Sequence, residues 1–172
     1  MTTDEKQEML ASLEQGRAAL LIALEGVSSE MSVQLPGPGK WSILQCVEHL
    51  ALAEDYLFGQ ISDAVPSETP LFYPQREAAI RLRGPDRSTR IESPEQAIPC
   101  GRFTRLPDAL QHFLASRERS IYFVANCLDD LRSRLTSHPL LGKVNCYETL
   151  LLIAAHPLRH IQQIQEIKAG LC

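Results

Sequence analysis

Two histidines stand four residues apart near the C-terminal end, in AAHPLRHIQQIQ (residues 154–165). On an α-helix this spacing puts both rings on one face, a turn apart, where their nitrogens can grip a single ion. Ile153, His156, His160, Ile164 and Ile167 share one helical line, and the isoleucines mark that line as core-facing. Two ligands seldom suffice for a protein metal site. His49 is the candidate third, on an earlier helical segment in line with Cys46, Ala53 and Tyr56, at the border of an apolar stripe. Of the other histidines, His112 falls between Asp108 and Ser116 on a face expected to meet water, and His138 falls in a loop. Three imidazoles from two helices leave coordination positions open, an arrangement in which a divalent ion acidifies water toward neutral pH. Zinc, nickel and ferrous iron all accept such donors. The competing reading makes each histidine a core residue satisfied by one hydrogen bond.

Neighbouring groups carry two readings as well. Cys46, one turn before His49, is either a fourth ligand or the small apolar partner of Trp41. Glu48 and Glu148 are general-base candidates by type. Glu48 points about 100° away from His49 on a helix, and Glu148 sits where a cap belongs, so both read as structural. Tyr56, two turns after His49, is a candidate for a cavity wall. Pro157 cuts across the pattern. It removes the amide that would bond the Ile153 carbonyl and disfavours helical geometry at His156, a cost of about 3 kcal/mol in a helix interior. A kink, or a displaced His156, is therefore expected.

Four long helical patterns must position these groups. The first runs from about residue 4 to 30, opened by a Thr2/Glu5 capping box, with Met9, Leu13, Leu20, Leu24, Val27 and Met31 on one side. LPGPGK at 35–40 breaks it. The second starts after Ser42, with Gln45 completing a capping box and Trp41 and Cys46 placed as a hydrophobic staple. Its stripe is Ile43, Val47, Leu50, Leu57 and Ile61, and it ends near Ser62. Residues 63–106 hold six prolines and the arginines 76, 81, 83, 87, 90, 102 and 105. A short helix fits at 75–83, and the remainder is a long connection of the kind often put to functional use. The third helix starts around Pro107, with Leu110, Leu114, Ile121, Val124, Leu128, Leu131 and Leu135 as its stripe. A loop follows at 137–143. The fourth helix starts after Asn145, has Glu148 three residues on, and runs to about Ala169, with Gly170 as its stop. Strand patterns are absent. The whole reads as all-α: an up-down-type four-helix bundle in one domain, residues 1–172, with one long Pro/Arg-rich connection between the second and third helices.

A formal net charge of −4 gives no bulk case for nucleic acid or an acidic membrane as partner. The polar, acidic start lacks the blocks of a secretory signal, and no apolar run approaches the roughly 20 residues that span a bilayer. Cys46, Cys100, Cys127, Cys146 and Cys172 are odd in number and form no CxxC pair, which fits reduced thiols in a cytoplasm.

Three segments, KWSILQCVEHLALAEDYL, HPLLGKVNCYETLLLIAAH and HPLRHIQQIQEIK, resemble the DinB/YfiT-like family of metal-binding four-helix bundles. The resemblance spans nearly the whole chain. It implies that His49, His156 and His160 bind a divalent transition metal, zinc or nickel foremost and iron next, and that the protein is a homodimer. Characterised relatives include thiol-dependent transferases and isomerases that use small bacterial thiols, and metal-dependent hydrolases. Pro157 replaces the polar residue usual at its position. The expected function is then a metal-dependent enzyme acting on a small molecule. The ion activates either water or the sulfur of a low-molecular-weight thiol, and connection arginines hold an anionic group of the substrate. The alternative is a non-catalytic bundle, a binding or regulatory module with a structural metal or none.

Overall fold

A computed structural model describes residues 1–88 and 92–171. Arg90 and Cys172 lie outside the described residues. The elements in chain order are α1 (Thr3–Leu24), α2 (Ser29–Val33), α3 (Ile43–Ser62), β1 (Val65–Pro66), α4 (Pro74–Arg83), α5 (Leu106–Asn126), β2 (Arg134–His138), β3 (Gly142–Asn145) and α6 (Cys146–Leu171). Helices α1, α3, α5 and α6 form the expected four-helix bundle. Its main packing contacts join α1 to α5 and α6, and α3 to the same two helices, so the ring order is α1, α5, α3, α6. The connection from α1 to α3 therefore crosses the bundle diagonally, and α3 comes to lie against α6.

The long helices begin where local chemistry dictates. Thr2 and Glu5, and Ser42 and Gln45, form reciprocal capping boxes. Asn145 and Glu148 do the same for α6: the Glu148 amide donates to Asn145 Oδ1 at 2.8 Å, and the Asn145 amide to Glu148 Oε2 at 3.0 Å. Each box satisfies two backbone donors that a helix start leaves open. Trp41 packs on the core cluster that contains Cys46.

Several expectations are corrected. The first helix does not reach residue 30, because Gly26 takes a left-handed φ of 73° and Ser28 caps a separate short helix, α2. The third helix does not reach Leu135. It ends at Asn126, Leu128 is 96% exposed, Leu131 sits in a 3-10 turn (Leu131–Ser133) and Leu135 lies in β2. Strands are present: β1, β2 and β3 form a small antiparallel sheet with Val65 opposite Leu135 and Leu135 opposite Asn145. The expected loop at 137–143 is the turn of the β2–β3 hairpin, with Gly142 at φ 68°. Finally, α6 runs through Gly170 to Leu171 instead of stopping before it.

Pro157 stays inside α6. The carbonyl it orphans, that of Ile153, accepts a hydrogen bond from Arg117 Nη2 at 3.1 Å. Arg117 is fully buried, with Nη1 donating to the Leu13 carbonyl at 3.1 Å and Nη2 and Nε donating to Glu54 Oε2 at 2.8 and 3.1 Å. Ser120 Oγ donates to the other Glu54 oxygen at 2.8 Å. One guanidinium thus joins α1, α3, α5 and α6 and supplies the donor that the proline lacks. A Cβ at Gly16 would sit in ordinary contact with Arg117 Nη1 at 3.5 Å and Pro157 Cγ at 3.6 Å, so α1 packs on this point with room for a methyl group.

Candidate metal centre

α3 brings His49, and α6 brings His156 and His160, to one place between the two helices. His156 Nε2 lies 3.1 Å from His49 Nε2 and 3.0 Å from His160 Nε2. Among the described residues these three form the group whose donor atoms are mutually within 4.8 Å. Cys46 is not part of it: it is buried in the apolar cluster, and burial pushes its thiol up to about 12. His49 and His160 are buried, and the Trp41 ring packs against both, at centroid distances of 4.8 and 6.2 Å. The proline does not displace His156.

The outer nitrogens are held too. His49 Nδ1 lies 2.6 Å from the Ala97 carbonyl oxygen, in the 3-10 turn Glu95–Ala97. A carbonyl only accepts, so Nδ1 carries the proton and Nε2 keeps its lone pair. His160 Nδ1 lies 3.0 Å from Gln163 Oε1, with the same consequence. The two contacts of His156, at 3.1 Å to His49 and 3.0 Å to His160, each subtend about 95° at an ion roughly 2.0–2.1 Å from the nitrogens, an angle that suits neighbouring ligands on one ion.

All three rings are held well toward the neutral form. Burial lowers His49; burial, then the neighbouring His160 and His49, lowers His156; and burial, then His49, brings His160 down to about 3. In the unfolded chain these rings take up protons near 6.5. The unfolded state therefore binds more protons below that pH, and the metal-free protein loses stability as pH falls from 6.5 toward 3. His160 contributes up to about 1.4 kcal/mol per pH unit across that window, and His49 and His156 act in the same direction. Glu5, held down to about 2 mainly by its hydrogen bond from Arg132, adds its loss only below about 4.5. Urea unfolding of metal-stripped protein should show a clearly lower midpoint at pH 5 than at pH 7. A flat profile would contradict the enclosure of the rings.

Other expected residues have other work. Glu48 is buried, and its Oε1 accepts from the Cys100 and Arg102 amides at 3.0 and 2.8 Å, pinning the connection to α3. Glu148 caps α6 and takes Arg76 in a two-pronged pair at 2.5 and 2.7 Å. Tyr56 packs against the core cluster around Leu57 and Leu150. His112 does not face water freely, since its Nε2 meets Asp55 Oδ2 at 2.6 Å. The connection arginines are mostly engaged: Arg81 with Tyr147 Oη at 2.8 Å, Arg87 with Glu166 at 2.9 Å, Arg105 with Asp108 at 2.7 Å. Sequence reasoning missed Ala97 and Gln163 as partners of the rings. Gln163 had a signal, three residues after His160 on the same helix face; a backbone carbonyl 48 residues from His49 had none.

Four packed helices, with three imidazoles converging between two of them, make a scaffold suited to hold a metal and leave positions open on it. The chain belongs to the DinB superfamily, whose sequence profile matches residues 12–164. Among solved structures it is similar to YfiT from Bacillus subtilis, at 18% identity and a TM-score of 0.63, over 99% of this chain and 90% of that one. YfiT is described as "a probable metal-dependent hydrolase with an unusual four-helix bundle topology". No curated protein matches the sequence. Among the described residues, no helix is long and apolar enough to cross a membrane.

Proposed function

We propose that the protein is a metal-dependent hydrolase of a small molecule, with His49, His156 and His160 as the ligands of one divalent transition metal. The observation that carries this reading is the crowding of three ring nitrogens with too few protons between them. With the Nδ1 protons of His49 and His160 committed outward, only His156 Nε2 can bring a proton into the cluster. That proton can serve one of the two contacts at 3.0 and 3.1 Å. The other sets lone pair against lone pair, which is unfavourable unless a cation lies between them.

A divalent metal bound there supplies Lewis acidity toward water, or toward the sulfur of a small thiol as the alternative nucleophile. The chain's own part is to keep the three rings neutral by burial, to fix their lone pairs inward and to exclude bulk water with Trp41. The description of YfiT supports hydrolysis over thiol transfer as the first chemistry to try.

Protein purified without chelator should carry about one transition metal per chain by elemental analysis. Screening ester, amide and phosphoester hydrolysis, with thiol conjugation as a parallel arm, should find an activity abolished by chelation and restored by zinc, nickel or iron. A folded protein that neither retains nor takes up metal would point to the plain helical module.

A further inference from the structure

Resting on that reading, we propose that Gln163 and Arg87 are positioning residues for the ligand His160: Arg87 sets which end of the Gln163 amide faces the ring. Arg87 Nη1 lies 3.1 Å from Gln163 Oε1, the same oxygen that lies 3.0 Å from His160 Nδ1. A guanidinium only donates. The amide atom shared between Arg87 and His160 must therefore be the oxygen, because the NH2 end would face a donor. The oxygen in turn requires the proton on His160 Nδ1, which leaves Nε2 as a lone pair toward His156. Flipping the amide would offer an N–H to Nδ1, move the ring proton to Nε2 and remove one metal ligand without moving an atom of the backbone.

Arg87 is itself clamped by Glu166, which follows Gln163 by one turn of α6. Its Nη2 and Nε donate to the Glu166 carboxylate at 2.9 and 3.3 Å. Arg87 lies in the segment after α4, and Ala97, which orients His49, lies farther along the same connection. The connection thus orients one ligand from each helix: His49 directly through a carbonyl, His160 through a side-chain relay. This gives the long Pro/Arg-rich segment a defined task at the site. The general effect of losing such an outer partner is roughly 10–100-fold in metal affinity.

The test is a double-mutant cycle read by competition with a chromophoric zinc chelator, with circular dichroism to confirm folding. Gln163→Leu removes the acceptor and should weaken zinc binding by about 10–100-fold. Arg87→Ala frees the amide to flip and should weaken it by about tenfold. Gln163→Glu offers oxygen at both ends, so it should keep affinity, and Arg87→Ala added to it should then cost little. A purely structural role for Arg87 predicts the same loss in both backgrounds, and that result overturns the proposal. A second readout needs no metal: nitrogen NMR of the metal-stripped protein should show His160 protonated at Nδ1 in the wild type and a mixture in Arg87→Ala. Protonation at Nε2 in the wild type overturns the relay whatever the metal does. Wild-type protein that shows the Nδ1 tautomer but no zinc affinity sinks the metal reading, and with it any role of the relay in holding metal.

Discussion

Replacing His160 by alanine is expected to abolish tight metal binding while leaving the bundle folded. The loss should exceed the roughly 10–100-fold that follows removal of an outer partner, because a donor itself is gone. Its effect on stability should differ with and without metal. In the loaded wild type, the ion adds RT ln(1 + [L]/Kd), about 4 kcal/mol at a thousandfold excess over Kd. The variant should show almost none of that gain. Without metal, the wild type holds three crowded nitrogens, two of them 3.0 Å apart, and the variant relieves one such contact. Thermal unfolding of both proteins, with zinc and with chelator, reads all four values. The chelated variant should melt close to the chelated wild type, and only the wild type should rise with zinc. Equal zinc-induced shifts in both would remove His160 from the site. His49→Ala, on the opposite helix, should behave the same way.

Arg117→Met should be the most damaging single change for folding itself. It leaves Glu54 buried without its cation, and it strips a donor from the Leu13 and Ile153 carbonyls. Removing one partner of a buried ion pair costs roughly 3–5 kcal/mol. Burial already pushes the Glu54 carboxyl up despite Arg117, so without the arginine Glu54 should take up a proton. The variant should therefore gain stability relative to wild type as pH is lowered from neutral toward 4.5, where the unfolded carboxyl also takes up its proton, and level off below it. Adding Glu54→Leu should recover part of the loss at pH 7, because no uncompensated charge then remains. The Ile153 carbonyl would still lack a donor, since Pro157 cannot provide one, so recovery should be incomplete. Chemical denaturation of the single and double variants gives these numbers directly. A loss below about 1 kcal/mol for Arg117→Met would mean that the buried network is not holding the four helices together.

Much of the site was legible because its signals are local. The His156–His160 spacing and the three capping boxes depend on residues three or four apart, where helix geometry leaves little freedom, and α4 is bracketed by Pro74 and Gly84. The same locality misled at the end of α5. Leu128, Leu131 and Leu135 continue a helical period, yet the first is exposed and the last pairs in a sheet with Val65 and Asn145. Period alone does not reveal where a helix stops when neither proline nor glycine marks the place.

The chain by itself determined where the four long helices begin, the apolar faces of α1 and α3, and the inward line of the histidines, because each follows from short-range backbone geometry and side-chain pattern; on α5 the buried line is instead Ala109, Phe113, Arg117, Ser120 and Val124, with Leu110, Leu114 and Ile121 only flanking the core. Only the tertiary structure decided that α3 lies against α6, that Arg117 answers the proline from 36 residues before the carbonyl it bonds, and that Ala97 and Gln163 turn the ring nitrogens toward one another. Those last choices depend on how the helices pack and on the need to satisfy every buried polar group.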